Sequence, residues 1–290
     1  MRRMASRSNN PNGGKQHVIQ EGDAGRVGAV WHLGRSVVVV LLTIMIAACK
    51  PAALGNGAAP VVRAKVVADY PHDRDAFCQG LAIEGATVYE GTGQYDRSFL
   101  RRYDLSTGKI EVQMKLAPQY FGEGIALFGD RVYQLTWKSR VCFLYDKQTL
   151  QYQGTLRYSG EGWGLAAAAD RLYLSDGTST IRVLDPDTFR VLDRIRVRDG
   201  RRFVDKLNEL EFIDGYLWAN VWYEDRIARI DPQTGQVVTW IDCGHIYPAV
   251  QRPSREHVLN GIAYDSASGR VYITGKNWPR IYEVEVPPVR

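Results

Sequence analysis

Glu123 stands in Phe121-Gly122-Glu123-Gly124, a carboxylate flanked by two glycines with no basic neighbour in the sequence. Packed against Phe121 and tryptophans, such a carboxyl loses hydration and its pKa rises, which suits a proton shuttle at neutral pH. The same pattern equally suits a structural carboxylate that accepts backbone N–H bonds in a turn. Comparable clusters recur: Ala76-Phe77-Cys78-Gln79-Gly80-Leu81, Gly160-Glu161-Gly162-Trp163-Gly164, Leu207-Asn208-Glu209-Leu210-Glu211 and Val258-Leu259-Asn260-Gly261-Ile262. A second set comprises Trp137-Lys138, Asn220-Val221-Trp222 and Gly275-Lys276-Asn277-Trp278. Brought to one place, they would set Trp137, Trp163 and Trp222, with Trp278 as a fourth candidate, beside a few carboxylates and amides. An aromatic wall with sparse polar groups is the make-up of a ligand pocket, although each tryptophan alone serves packing as well.

What must bring them together is a repeat. Aromatic-centred segments recur as Val88-Tyr89-Glu90, Val132-Tyr133-Gln134, Leu172-Tyr173-Leu174, Leu217-Trp218-Ala219 and Val271-Tyr272-Ile273, with the aromatics 44, 40, 45 and 54 residues apart. In four units a further strand ends in Asp104, Asp146, Asp185 or Asp231, with Thr107, Thr149, Thr188 or Thr234 three residues on. Gly129-Asp130, Ala169-Asp170 and Asp214-Gly215 are hairpin-turn chemistry. Segments such as Ile181-Arg182-Val183-Leu184 alternate with the period of half-buried strands, and no stretch sustains an amphipathic helix. Units of this length built from short strands predict an all-β, five-bladed β-propeller. The last unit holds only three strands, so the segment Val61–Ala68 is expected to join the last blade and close the ring, which removes two open sheet edges. In such a ring the loops that enter the innermost strands converge on the axis, so the two sets of clusters would meet.

The net charge of +5 does not point to nucleic acid. Residues 1–50 carry seven Lys/Arg against two Asp/Glu, which leaves the body balanced. The basic leader runs into an apolar stretch from Val37 to Ala48, about 18 Å as a helix and too short to span a bilayer. It ends in Ile46-Ala47-Ala48-Cys49, which resembles a bacterial lipobox with Cys49 as the lipidated mature N-terminus. The expected organisation is a signal segment over 1–49, a flexible tether over 50–60 and one propeller over 61–290. Cys78, Cys142 and Cys243 lack metal-like spacing, and free buried thiols are preferred over a disulfide among them.

Taken together, Tyr70-Pro71-His72-Asp73, Phe77-Cys78-Gln79-Gly80-Leu81, Tyr89-Glu90, Phe121-Gly122-Glu123-Gly124, Gln134-Leu135-Thr136-Trp137, Asn208-Glu209-Leu210-Glu211, Trp218-Ala219-Asn220-Val221-Trp222 and Leu259-Asn260-Gly261-Ile262-Ala263 resemble the plant- and bacterial-type glutaminyl cyclases (glutaminyl-peptide cyclotransferases) over 62–286. The resemblance implies a five-bladed propeller that cyclises N-terminal glutamine with loss of ammonia, without the zinc of the animal-type enzymes and without another cofactor. It places the general acid/base on Glu123, with Gln79 and Lys276 holding the carboxamide and the oxyanion. Phe77, Phe121, Trp137, Trp163, Asn208 and Trp222 would bind the substrate. Cys78 departs from the family's threonine, and Glu90-Gly91-Thr92-Gly93 from a serine-containing version.

The implied partners are peptides or proteins with N-terminal glutamine, with no nucleic acid and no membrane contact beyond a lipid anchor. The expected state is a monomer, exported and tethered in the periplasm of a Gram-negative bacterium, at its outer membrane. Two rivals remain: a non-catalytic propeller lipoprotein that binds or scaffolds a partner, and a hydrolase or dehydrogenase using a metal or quinone. Only His72, His245 and His257 occur in the body, with no ligand-like cluster, which disfavours histidine-metal chemistry.

Overall fold

A computed structural model describes residues 57–288 of the chain; the leader and Cys49 lie outside them. The described residues form strands joined by turns, with one 3-10 turn at Ala249–Gln251. Two strands come first, β1 (Val61–Arg63) and β2 (Lys65–Pro71). Blade one is β3 (Cys78–Glu84), β4 (Thr87–Thr92), β5 (Phe99–Asp104) and β6 (Ile110–Lys115). Blade two is β7 (Gly122–Phe128), β8 (Arg131–Thr136), β9 (Val141–Asp146) and β10 (Tyr152–Arg157). Blade three is β11 (Leu165–Ala167), β12 (Leu172–Leu174), β13 (Thr180–Leu184) and β14 (Val191–Arg196). A small hairpin, β15 (Arg198–Asp199) and β16 (Arg202–Phe203), leads to blade four: β17 (Leu207–Ile213), β18 (Tyr216–Val221), β19 (Arg226–Ile230) and β20 (Val237–Asp242). Blade five is β21 (Leu259–Asp265), β22 (Arg270–Gly275) and β23 (Arg280–Glu285), with β2 as its outer, antiparallel fourth strand.

The segment read as one N-terminal strand divides in two. Val61–Arg63 pairs in parallel with the outer strand of blade four, and Lys65–Pro71 with blade five. The break falls at Ala64, which is buried and donates its N–H to the Asp242 carbonyl. One stretch of chain thereby covers the exposed edges of two neighbouring sheets.

The repeat has a packing cause. Five apolar clusters lie one in each seam between adjacent blades, including the seam between five and one. Tyr89, Tyr133, Tyr173, Trp218 and Tyr272 supply one aromatic to each of them. Five seams need five large apolar side chains, and the second strand of every blade provides one. The Asp-x-x-Thr spacing is equally local. Asp104, Asp146 and Asp185 each accept the backbone N–H and the hydroxyl of the threonine three residues on, fixing the turn before the outer strand. At Asp231 the Thr234 hydroxyl makes the corresponding bond.

Polar groups stitch the centre and the last seam. Glu209 accepts N–H bonds from Ile262 at 2.8 Å and Leu81 at 3.4 Å, joining blade four to blades five and one. Just after β2, His72 Nε2 lies 2.9 Å from Glu90 Oε1, and its Nδ1 lies 2.6 Å from the Trp278 carbonyl. Arg101 donates to the other Glu90 oxygen through Nε and Nη2, at 3.0 and 2.8 Å, and to Asp73 at 2.9 Å. Burial alone would raise the Glu90 carboxyl, but the Arg101 and His72 charges and hydrogen bonds outweigh it and hold the pKa at about 2. Cys78, Cys142 and Cys243 are buried free thiols.

Candidate active site

The glycines beside Glu123 are required by close approach. A methyl group at Gly122 would come within 2.5 Å of the Thr92 carbonyl of blade one, and one at Gly124 within 2.7 Å of the Trp163 carbonyl of blade three. Glu123 is thus gripped between two neighbouring backbones, and the Gly124 N–H donates to Trp163 O at 2.7 Å. Gly124→Ala has no room without moving β7; it is expected to cost about 1–3 kcal/mol of stability and to depress turnover. Thermal unfolding and turnover measured together would check this, and an unchanged midpoint would show that the strand can yield.

Around Glu123 a cavity of about 210 Å³ is lined by Phe77, Gln79, Phe121, Trp137, Trp163, Asn208, Trp222, Glu256 and Lys276. Of the candidates named from the sequence, Glu123, Gln79, Lys276, Phe77, Phe121, Trp137, Trp163, Asn208 and Trp222 all line this one cavity. Inner-strand entries carry Gln79, Glu123, Trp163 and Asn208; the ends of second strands carry Trp137, Trp222 and Lys276. Trp278 does not belong to it. It is fully buried between Tyr247 and Tyr282 and donates its indole N–H to the His257 carbonyl. Glu256 is the member that sequence reading missed, because its loop between β20 and β21 has no strand periodicity to mark it.

The cavity's polar members Gln79, Glu123 and Lys276 are all buried. Glu123 is buried, and among the described residues no group hydrogen-bonds its carboxylate, so it is not the turn-capping carboxylate that the sequence also allowed. Burial pushes its pKa well above the ordinary carboxylate range; the Lys276 charge opposes this and the Glu161 charge adds to it. Burial also lowers the Lys276 pKa, against the pull of Glu123. Lys276 Nζ sits 4.7 Å from the centre of the Phe77 ring. Asn260 donates to the Cys78 carbonyl at 2.9 Å and to Gln79 Oε1 at 3.2 Å, which leaves the NH₂ end of Gln79 for a ligand.

The walls are aromatic and interlocked. Phe121 meets Phe77 edge-on at 6.4 Å and Trp137 at 5.5 Å, while Trp163 and Trp222 cross at 87° with centres 5.6 Å apart. Among the described residues, Trp222 Nε1 and Asn208 Oδ1 are buried without a hydrogen-bond partner, a state that costs stability.

Known proteins resemble this chain along most of its length. The family model for glutamine cyclotransferase matches residues 37–286. The glutaminyl-peptide cyclotransferase of Arabidopsis thaliana is 43% identical over 226 residues, which cover 77% of this chain and 71% of that protein. The crystal structure of the glutaminyl cyclase of Myxococcus xanthus superposes with a TM-score of 0.75 at 38% identity, covering 80% of this chain and all of that one.

Proposed function

The chain belongs to the glutamine cyclotransferase family and is a glutaminyl-peptide cyclotransferase; from that premise we propose that its cavity closes N-terminal glutamine to pyroglutamate by proton transfer through Glu123, without a metal ion. The observation that carries the reading is the Glu123 carboxylate, buried in an aromatic-walled cavity with its pKa raised by burial and no hydrogen-bond partner among the described residues.

In this reading the aromatic walls fold the glutamine side chain back so that the α-amine approaches the δ-carbon as a near-attack conformer. The amine nitrogen forms the new C–N bond, and the carbonyl oxygen takes up negative charge beside the Lys276 ammonium and the Gln79 amide donors. Glu123 removes one proton from the attacking nitrogen and passes it to the departing NH₂, so ammonia leaves and the carboxylate is restored. A carboxyl raised by burial suits both halves of that transfer, since it is a better base than a solvated one and still a competent acid. No three His, Cys, Asp or Glu side chains gather as a metal-ligand set among the described residues, which supports a metal-free route. Export and lipid attachment through Cys49 rest on the leader sequence and complete the proposal.

Ammonia release from a glutaminyl dipeptide by the full chain tests the activity, with and without excess EDTA. Turnover that chelator leaves unchanged is expected. Chelator-sensitive turnover would overturn the metal-free route, and its absence from folded protein would favour a binding propeller.

A further inference from the structure

The cluster Gly160-Glu161-Gly162-Trp163-Gly164 supplies a pocket wall through Trp163, yet the reaction as derived gives its carboxylate no task. In the fold that carboxylate, partly exposed to solvent, bonds two of the three wall tryptophans. One oxygen, Oε2, accepts the indole N–H of Trp137 at 2.7 Å and that of Trp163 at 2.9 Å. Trp137 follows the second strand of blade two and Trp163 precedes the first strand of blade three, so a single atom joins the walls across a seam.

The surroundings leave this atom committed to that contact. The other oxygen, Oε1, lies 3.9 Å from Lys138 Nζ, which itself rests 3.8 Å above the Trp137 ring. Arg182 donates to the main-chain carbonyls of Glu161 and Ser159 and pairs with Asp176 at 3.6 Å, so the Glu161 backbone is pinned from below. The third wall tryptophan, Trp222, takes no part, and its N–H has no hydrogen-bond partner among the described residues.

We infer that Glu161 is a positioning residue of the cyclisation site, one carboxylate oxygen clamping Trp137 and Trp163 in the orientation that holds the substrate's glutamine side chain. The inference rests on the cyclase reading above. An indole N–H held by that oxygen fixes the rotation of its ring, which then offers a set apolar face to the folded glutamine. The carboxylate also adds negative charge near Glu123, whose other facing groups are Lys276 and the Tyr158 phenol. Removing that charge lowers the pKa of Glu123 and moves the pH limb it governs to lower pH.

Two variants separate these effects. Glu161→Gln keeps an oxygen able to accept both indoles but drops the charge. Its KM is expected to stay within about twofold of wild type while the Glu123 limb of kcat/KM moves to lower pH. Glu161→Ala removes the clamp; its KM is expected to rise about tenfold with kcat much less affected, and its near-UV circular dichroism to lose tryptophan fine structure. A Glu161→Ala enzyme that keeps both the wild-type KM and the tryptophan signal overturns the inference, as does a Glu161→Gln limb that stays in place. Absence of turnover in wild type would instead remove the cyclase reading, and the dichroism of Glu161→Ala would still decide the clamp.

Discussion

Glu123→Gln is expected to lower kcat for cyclisation of N-terminal glutamine by about 10²–10⁴-fold, with the fold intact. The substitution is isosteric, and the carboxylate has no hydrogen bond to lose among the described residues. It removes an ionisable group that burial disfavours, so the thermal midpoint should hold or rise slightly. What disappears is the group that can both take a proton from the amine and return one to the leaving nitrogen. KM should change far less than kcat, because the aromatic walls remain. The pH profile gives a second test. In wild type the limb belonging to Glu123 should lie above the ordinary carboxylate range, since burial raises its pKa, and it should be missing from whatever rate the variant retains. A variant that keeps more than about a tenth of wild-type kcat would remove Glu123 from the proton path.

The second large effect concerns stability. Glu90→Gln is expected to lower the unfolding free energy by about 3–5 kcal/mol, because it strands the buried Arg101 guanidinium beside a half-exposed Asp73. The pH dependence follows from the depressed pKa. Above its ordinary value of 4.5 the Glu90 carboxylate contributes its full stabilisation, and this is lost as pH falls through about 2. Chemical unfolding at a series of pH values should thus show the gap between wild type and variant closing between those limits. Replacing both partners with apolar side chains, Glu90→Leu with Arg101→Met, should cost much less than either single change. If Glu90→Gln alone unfolds at the wild-type midpoint at pH 7, the network does not anchor the seam between blades five and one.

How far the sequence could reveal this depends on the range of each interaction. The five seam aromatics are legible because every blade repeats the same packing demand, and the Asp-x-x-Thr turns because the bonded groups lie three residues apart. Glu123 is legible because its glycines record two close approaches. The Glu161 carboxylate stands in plain view, but its bond to Trp137 crosses a seam, and nothing in Gly-Glu-Gly predicts the indole it meets. The His72–Glu90–Arg101–Asp73 network draws on three separate segments and shows no periodicity. Trp278 was grouped with the pocket tryptophans because it follows a second strand as Trp137 and Trp222 do; Asn277, with φ at 59°, turns the chain and the ring folds inward onto Tyr247.

Gln79, Glu123, Trp163, Asn208 and Lys276 come one from each blade, and this governs when the protein becomes an enzyme as it folds. The bond from Asn260 to Gln79 alone spans 181 residues. Individual blades are built from local hairpins and can form early, whereas docking the fifth against the first meets the entropy of closing almost the whole propeller. In refolding, strand signals should therefore recover before turnover does. A nascent chain lacking its final blade, and with it Lys276, is expected to be catalytically silent however many of its hairpins have formed.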